Sequence, residues 1–459
     1  MKMKPITLEK LAEITGGAYV GAALKKYERI ESVTMDSRAV ERGSLFVCIK
    51  GARVDGHDFA KTAGDNGAVC RLCERPLDDD YPYVLVSDAK AALRALAEWY
   101  RKQFTIPVVA IIGSVGKTTA KEMVAAVLGR EKLVLKTEAN LNNELGVPLT
   151  LLKMREEHEA AVVEMGISDF GEMSVLAKMV RPDIVVFTSV GYCHLENLGS
   201  LDGVLKAKSE VFDYMAEDAV AVLNGDDDKL ASLDPGINVI RYGVGEECDV
   251  RAENIENLGF QGVSCDIRWG NTAIFTLIPA FGTHIVYGAL AAAAVGKTLG
   301  VSAENIMRGI ADYRPVGSRA NVIDTGKITI IDDCYNANPN SMAAAIRSLS
   351  SINALTGKTG KRIAILGDMK ELGRDSGELH LEMGEEAARV HLDLVVAIGP
   401  EAKRIAEGMK NGGGNAVWLS DKSKLFPAFE KIISRGDVVL VKASHSMGFD
   451  EITERLKRL

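Results

Sequence analysis

The chain has 459 residues, 47% hydrophobic and 26% charged, which suits two or three globular domains and excludes a disordered chain or a disulfide-stapled mini-protein. Its 55 Lys+Arg against 63 Asp+Glu leave a formal charge of −8, which argues against a general nucleic-acid binder but not against a phosphorylated small ligand. Seven irregularly spaced cysteines speak against a secreted disulfide framework.

The N-terminal MKMKPITLEKLAEITGG lacks the apolar run of a signal peptide, and no later stretch approaches the roughly 18 apolar residues of a membrane span. A cytoplasmic protein is expected. Residues 33–51 carry short strands and turns, and 55–68 predict a helix ending at Gly67. Cys70 and Cys73 form a lone CxxC; without a second pair or a nearby His they read as two reduced thiols near a strand end, not a zinc site. Residues 88–104 predict an amphipathic helix with Leu93, Leu96, Ala97 and Tyr100 on one face. Pro107 opens the next strand, so one boundary is expected near 104 and a second near Tyr313-Arg314-Pro315. The runs at 106–113, 160–166, 182–191, 362–367 and 393–399 each predict a buried parallel strand ending at a Gly turn. Helical patterns follow several of them, the mark of doubly wound α/β domains.

One strand runs into Gly113-Ser114-Val115-Gly116-Lys117-Thr118-Thr119 and then into a helix. Glycines let the backbone curl its N–H groups inward, the helix N-terminus adds positive potential, Lys117 reaches the β/γ-phosphates and Thr118 offers a hydroxyl to Mg²⁺. The loop is a shortened GxxGKTT, since Ile111 stands where a longer phosphate loop has Gly. The similar letters Val295-Gly296-Lys297-Thr298 follow an Ala-rich helix with no strand, and read as a helix end. Glu164 closes a strand, the edge where ligands collect in such sheets, and is a candidate metal ligand. His194 follows another strand and is a candidate second ligand. Asn140, Asn142 and Asn143 either donate to phosphate or substrate or cap a helix. Lys206 and Lys208, judged from their own segment, read as solvated helix lysines.

Together GSVGKTTAKE (113–122), NLNNELGVPLTLL (140–152), EMGISDFGEM (164–173), VGYCHLENLGSLDGVLKAKSEVF (190–212) and DDCYNANPNSMAAAI (332–346) resemble the Mur ligases over nearly the whole chain. The segment DSRAVERGSLFVCIKGARVDGHDF (36–59) is similar to that family's UDP-sugar domain, and DDCYNANP (332–339) with LGDMKELG (366–373) points to the member that joins D-Ala-D-Ala to UDP-N-acetylmuramoyl-tripeptide. The resemblance implies three domains: a UDP-sugar domain at 1–104, a central P-loop-like ATPase domain at 105–313 and a Rossmann-like domain at 314–459. It implies ATP, two Mg²⁺ ions, and an acyl-phosphate intermediate. Thr118 and Glu164 are then expected to hold one ion, and His194 with a carbamylated Lys208 a second. Lys117, Lys208 and His194 are the expected catalytic residues. Gly113 to Thr119, Arg319, Asp333, Asn336 and Asn338 are expected to contact ATP; Ser37, Arg38, Asn140, Asn142, Asn143, Lys442 and Ser444 to contact substrate. A monomer is expected. Against the family pattern, Ile112 replaces Thr, Ala139 replaces Gly, HNxxN reads His284-Ile285-Val286-Tyr287-Gly288, and VKGSR reads Val441-Lys442-Ala443-Ser444-His445. A nucleotide-binding paralogue without ligase activity and an amide ligase for another acceptor remain alternatives.

Overall fold

The computed structural model describes residues 3–51, 53–352 and 360–459; Met1, Lys2 and Ala52, which fall within segments quoted above, lie outside it. Its strands form three main α/β sheets in succession along the chain. The first has five strands in the order Ala18–Val20, Tyr83–Leu85, Cys70–Cys73, Ser44–Val47, Ser32–Thr34, parallel except for the first pair. Cys70 and Cys73 are the first and last residues of their strand, as expected of thiols near a strand end. Three residues apart on a strand, they point to opposite faces and join different apolar clusters. Burial pushes their thiols up to about 12 and about 11, so they are two separate protonated thiols. The helix expected after the 33–51 strands is a 3₁₀ turn at Gly56–Phe59 leading into Ala60–Asp65.

The amphipathic segment forms the helix Ala89–Arg101, capped where the Asp88 side chain accepts from the Ala91 N–H. Leu93, Leu96, Ala97 and Tyr100 are all fully buried, as the spacing predicts. Two residues at its end tie the first unit to the second. The Tyr100 hydroxyl accepts from the Lys4 N–H and donates to the Met154 carbonyl, both at 2.7 Å. Arg101 donates to the carbonyls of Phe104 and Val180.

The second sheet has nine strands, and Val108–Ile112 lies between Ala160–Glu164 and Ile184–Phe187, all three parallel. These fourteen residues, all but Glu164 apolar, are runs buried on both faces, which is why their sequences lack alternation. The chain visits one side of Val108–Ile112 before crossing to the other, so the carboxyl end of this strand is a topological switch point. Register places Glu164 beside Ile111 and Phe187 beside Ile112, bringing the three following loops together. Helix Lys117–Leu128 packs on Val286–Thr298. Gly296 belongs to that contact: a Cβ there would sit 2.8 Å from Val127 Cγ1 and 2.9 Å from Ile306 Cγ1. Gly296-Lys297-Thr298 is therefore the end of a packed helix, not a phosphate loop.

The third sheet has six strands in the order Asn321–Asp324, Thr329–Asp332, Val438–Lys442, Arg362–Gly367, Leu394–Ile398, Ala416–Leu419, with only the first pair antiparallel. Among the described residues, no helix is long and apolar enough to cross a membrane. The Tyr100→Phe variant should lose about 1–3 kcal/mol of stability, because the Met154 carbonyl and the Lys4 N–H each lose a buried partner. Urea unfolding of the two proteins measures the difference.

Candidate active site

The phosphate loop is shaped by contacts that only its sequence permits. Gly113 has φ 131°, and a Cβ on it would lie 2.1 Å from Thr188 Oγ1, so no other residue fits. Gly116, at φ 84°, starts the helix Lys117–Leu128. The next strand's loop holds the curl from the other side. Ser114 N–H donates to the Ser189 carbonyl at 2.9 Å, Val115 N–H to Ser189 Oγ at 3.1 Å, and Gly191 N–H to Ser114 Oγ at 2.9 Å. Lys117 folds over this loop, its Nζ 2.7 Å from the Gly113 carbonyl and 3.2 Å from that of Ser114.

Thr118 Oγ1 donates to Glu164 Oε2 at 2.9 Å, and Asn142 Nδ2 donates to Glu164 Oε1 at 2.8 Å. Both Thr118 and Glu164 are buried. Asn143 Oδ1 accepts from the Leu145 N–H at 3.1 Å and the Gly146 N–H at 2.9 Å in the turn that leads into Gly146–Leu151, and the residue also lines the cleft. Asn140 is exposed and stays off the cleft wall.

His194 has φ 53° and begins the turn of helix Leu195–Leu198. Its Nδ1 is 2.5 Å from Glu371 Oε2, a residue of the third sheet's loops. Burial lowers the His194 pKa, with Lys208 and Lys117 adding to the effect and Glu371 opposing it. Lys208 corrects the reading from its own segment. Lys206 is exposed, whereas Lys208, about 200° round the same helix, is 1% exposed. Burial brings its amine down to about 8, Lys117 contributing in the same direction while Cys193 and Glu172 oppose it. The helical stripe Val204, Ala207, Lys208, Val211 is buried throughout, so the periodicity of the sequence already held the signal.

The third unit closes the cleft. Asp333 Oδ1 accepts from the Ala320 N–H at 3.0 Å, and its Oδ2 pairs with Lys442 Nζ at 2.6 Å. Lys442 also donates to the Asn336 carbonyl at 3.1 Å. The Arg319 guanidinium lies 3.6 Å from the centre of the Tyr335 ring. Asn338 caps helix Pro339–Ser350 in a reciprocal box with Ser341. Asn340 Oδ1 accepts from the Tyr192 N–H at 3.2 Å, bridging second and third units.

Between these walls is a cavity of about 840 Å³, of the size that takes a nucleotide-like ligand. Ser114 to Thr119, Asn142, Asn143, Glu164, His194, Arg319, Asp333, Asn336, Asn338 and Lys442 all line it. Gly113 and Lys208 lie behind that lining, and Ser444 is buried with its Oγ accepting from the Lys370 N–H. Ser37 and Arg38 are elsewhere, in a 3₁₀ turn of the first unit where Arg38 grips Asp36 through two bonds. Of the two positions where the family pattern has its amides, Ile285 lines the cavity, beside His284, Tyr287 and Tyr313, and Gly288 does not. Sequence reasoning assigned no role to Glu371, Asp227 or Tyr335. Glu371 stands in the loop after the parallel strand Arg362–Gly367, past its end, whereas Glu164 is itself the last residue of its strand.

Among the described residues no group of three or more His, Cys, Asp or Glu side chains converges as a metal site. What the cleft offers is a carboxylate and hydroxyl in contact, an imidazole and a buried lysine. That set fits Mg²⁺, which takes few protein ligands and completes its shell with phosphate oxygens and water.

Residues 29–110 match the Mur ligase family catalytic domain, 111–296 the Mur ligase middle domain and 318–445 the Mur ligase glutamate ligase domain. The chain belongs to the Mur ligase family. It is 35% identical over 462 residues, 99% of each chain, to the UDP-N-acetylmuramoyl-tripeptide–D-alanyl-D-alanine ligase of Escherichia coli strain K12. Its fold superposes on MurF from Acinetobacter baumannii with a TM-score of 0.91 at 31% identity, each chain covered completely. It superposes on the MurF ligase of Thermotoga maritima in complex with ADP at 0.81 and 30% identity, covering 93% of this chain and 97% of that one. The three-domain α/β architecture is that of these ligases.

Lys117→Met removes the only charge carried by the loop itself. Turnover should fall by about 100-fold or more, as for loss of one preorganised transition-state donor, with the thermal midpoint unchanged. Steady-state phosphate release and a thermal melt check the two halves.

Proposed function

We infer that this chain is the ATP-dependent ligase that joins D-Ala-D-Ala to UDP-N-acetylmuramoyl-tripeptide in peptidoglycan precursor synthesis. The observation that carries the reading is the single cleft in which the phosphate loop and Glu164 face Arg319, Asp333, Asn336 and Lys442. A phosphoryl donor held there is contacted from two domains at once.

The reaction has two steps. The terminal carboxylate of the tripeptide attacks the γ-phosphorus of ATP, giving an acyl phosphate and ADP. The free amine of D-Ala-D-Ala then attacks the acyl carbon, and the tetrahedral adduct collapses to an amide and inorganic phosphate, releasing a proton. Phosphoryl transfer calls mainly for positioning and charge neutralisation. Lys117 is the cation that follows the transferred group. The N–H groups of residues 116–119, at the start of the helix, cradle the phosphates, and Arg319, Asp333, Asn336 and Asn338 hold the nucleotide from the third domain. Thr118 and Glu164 would hold one Mg²⁺, and His194 with Lys208 a second; bound there, the ions offset phosphate charge. A buried amine at about 8 is neutral often enough to add CO₂, forming a carbamate and releasing a proton. The carbamate replaces a buried cation by an anion next to a metal site.

Asn142 acts through Glu164, and Asn140 and Asn143 through the loop that meets the tripeptide. Ser37 and Arg38 bind the UDP end of the substrate on the first domain. Lys442 works by holding Asp333, and Ser444 by fixing the loop that carries Glu371. The domains divide as 1–104, 105–313 and 314–459, in a cytoplasmic monomer.

Phosphate release from ATP and Mg²⁺ should require UDP-N-acetylmuramoyl-tripeptide and D-Ala-D-Ala together. Release that needs only one of them, or neither, sinks the reading. With ¹³C-bicarbonate, a carbamate resonance should appear in the wild type and be missing from Lys208→Ala. Lowering the pH below about 8 protonates the amine, so the resonance and the activity that depends on it should fade together on the acid side.

A further inference from the structure

The contact between His194 and Glu371 joins two domains at the edge of the cleft. His194 belongs to the loop after Ile184–Phe187, Glu371 to the loop after Arg362–Gly367. Nδ1 and Oε2 are 2.5 Å apart. The Glu196 N–H also donates to the Glu371 carbonyl at 3.3 Å, so backbone and side chain meet together. Both residues are non-glycine at positive φ, 53° and 64°. Such conformations persist only where the surroundings hold them.

The Glu371 loop is firmly anchored on its own domain. Asp368 Oδ1 accepts from the Ala402 N–H at 2.8 Å and its Oδ2 pairs with Lys370. The Met369 N–H donates to His380 Nε2 at 2.9 Å, and the Lys370 N–H to Ser444 Oγ at 2.9 Å. Gly373 packs against Glu196. The carboxylate is thus delivered by a rigid support, not by a free loop.

A carboxylate only accepts, so the proton of a neutral His194 ring sits on Nδ1 and the Nε2 lone pair remains free. Nε2 has no hydrogen-bonding partner among the described residues, and His194 lines the cavity. This is the arrangement by which a carboxylate fixes the tautomer and ring orientation of a metal-ligating imidazole.

We propose that Glu371 is a positioning residue through which the third domain orients His194 and sets the affinity of the second divalent cation. This rests on the two-ion reading above. When the third domain swings away, the imidazole loses its orienting partner and the cation its well-placed ligand. The second ion is therefore held tightly only in the closed molecule.

Mn²⁺ titration followed by electron paramagnetic resonance, in the presence of a non-hydrolysable ATP analogue, separates the two ions by affinity. The wild type should bind two. Glu371→Gln keeps the size of the side chain, and more than half of that side chain is exposed, so the substitution leaves no buried charge behind. It should weaken the looser ion by about 10- to 100-fold and leave the tighter one unchanged. Glu371→Ala should do the same. Weakening of both ions in the Gln variant, or of neither, overturns the proposal while leaving the two-ion reading intact. A wild type that binds one ion overturns both.

Discussion

The bond from Thr118 Oγ1 to Glu164 Oε2 is the join on which the site depends. It ties the first turn of the phosphate-loop helix to the end of the neighbouring strand. It exists because three apolar strands are paired in register and end at the same level. Gly113 then turns away so close to Thr188 that a single added carbon would break the packing. Asn142 occupies the other carboxylate oxygen, so the carboxylate is held on both sides before any ligand arrives. Preorganisation of this kind suits a reaction whose main demand is the placement of charge.

Around that join the cleft is assembled from parts that are far apart in sequence. The central domain supplies the phosphate loop and Glu164; the third supplies Arg319, Asp333, Asn336 and Lys442. The acidic chain needs no broad basic surface for its phosphorylated ligands. Its cations at the cleft are few and individually held: Lys117 by loop carbonyls, Lys442 by Asp333, Arg319 by the Tyr335 ring. Each is fixed by a near neighbour, and each is within reach of one cavity.

Local order explains what was legible in the sequence. Strands buried on both faces appear as unbroken apolar runs, and a strand–glycine–helix transition with Lys-Thr-Thr is itself the site's geometry. Lys297 could be set aside because it lacked the preceding strand, and Gly296 proved to be a packing residue. Lys208 was hidden for a different reason. A lysine reads as solvated, although Val204, Ala207 and Val211 mark its side of the helix as buried. The two cysteines 70 and 73 do stand at the ends of one strand, and its alternation carries them to opposite faces of the sheet. Glu371 could not be assigned at all, since its partner lies on another domain and only tertiary packing brings them together. Ser444, an expected substrate contact, has a hydroxyl that accepts from the loop beside the site, a partner its own segment does not reveal.

Asn338 carries a consequence for how this site tolerates change. Its side chain lines the nucleotide cavity and also starts helix Pro339–Ser350 through a reciprocal cap. A substitution there loosens a helix of the third domain at the same moment that it alters the wall of the cleft. In a mutational scan it would score against both abundance and turnover, and the two losses would be inseparable unless protein level were measured beside rate. Drift at this position is thus restrained twice over, once by folding and once by the shape of the cleft, whereas Arg319, stacked on a ring without capping anything, answers to the cleft alone.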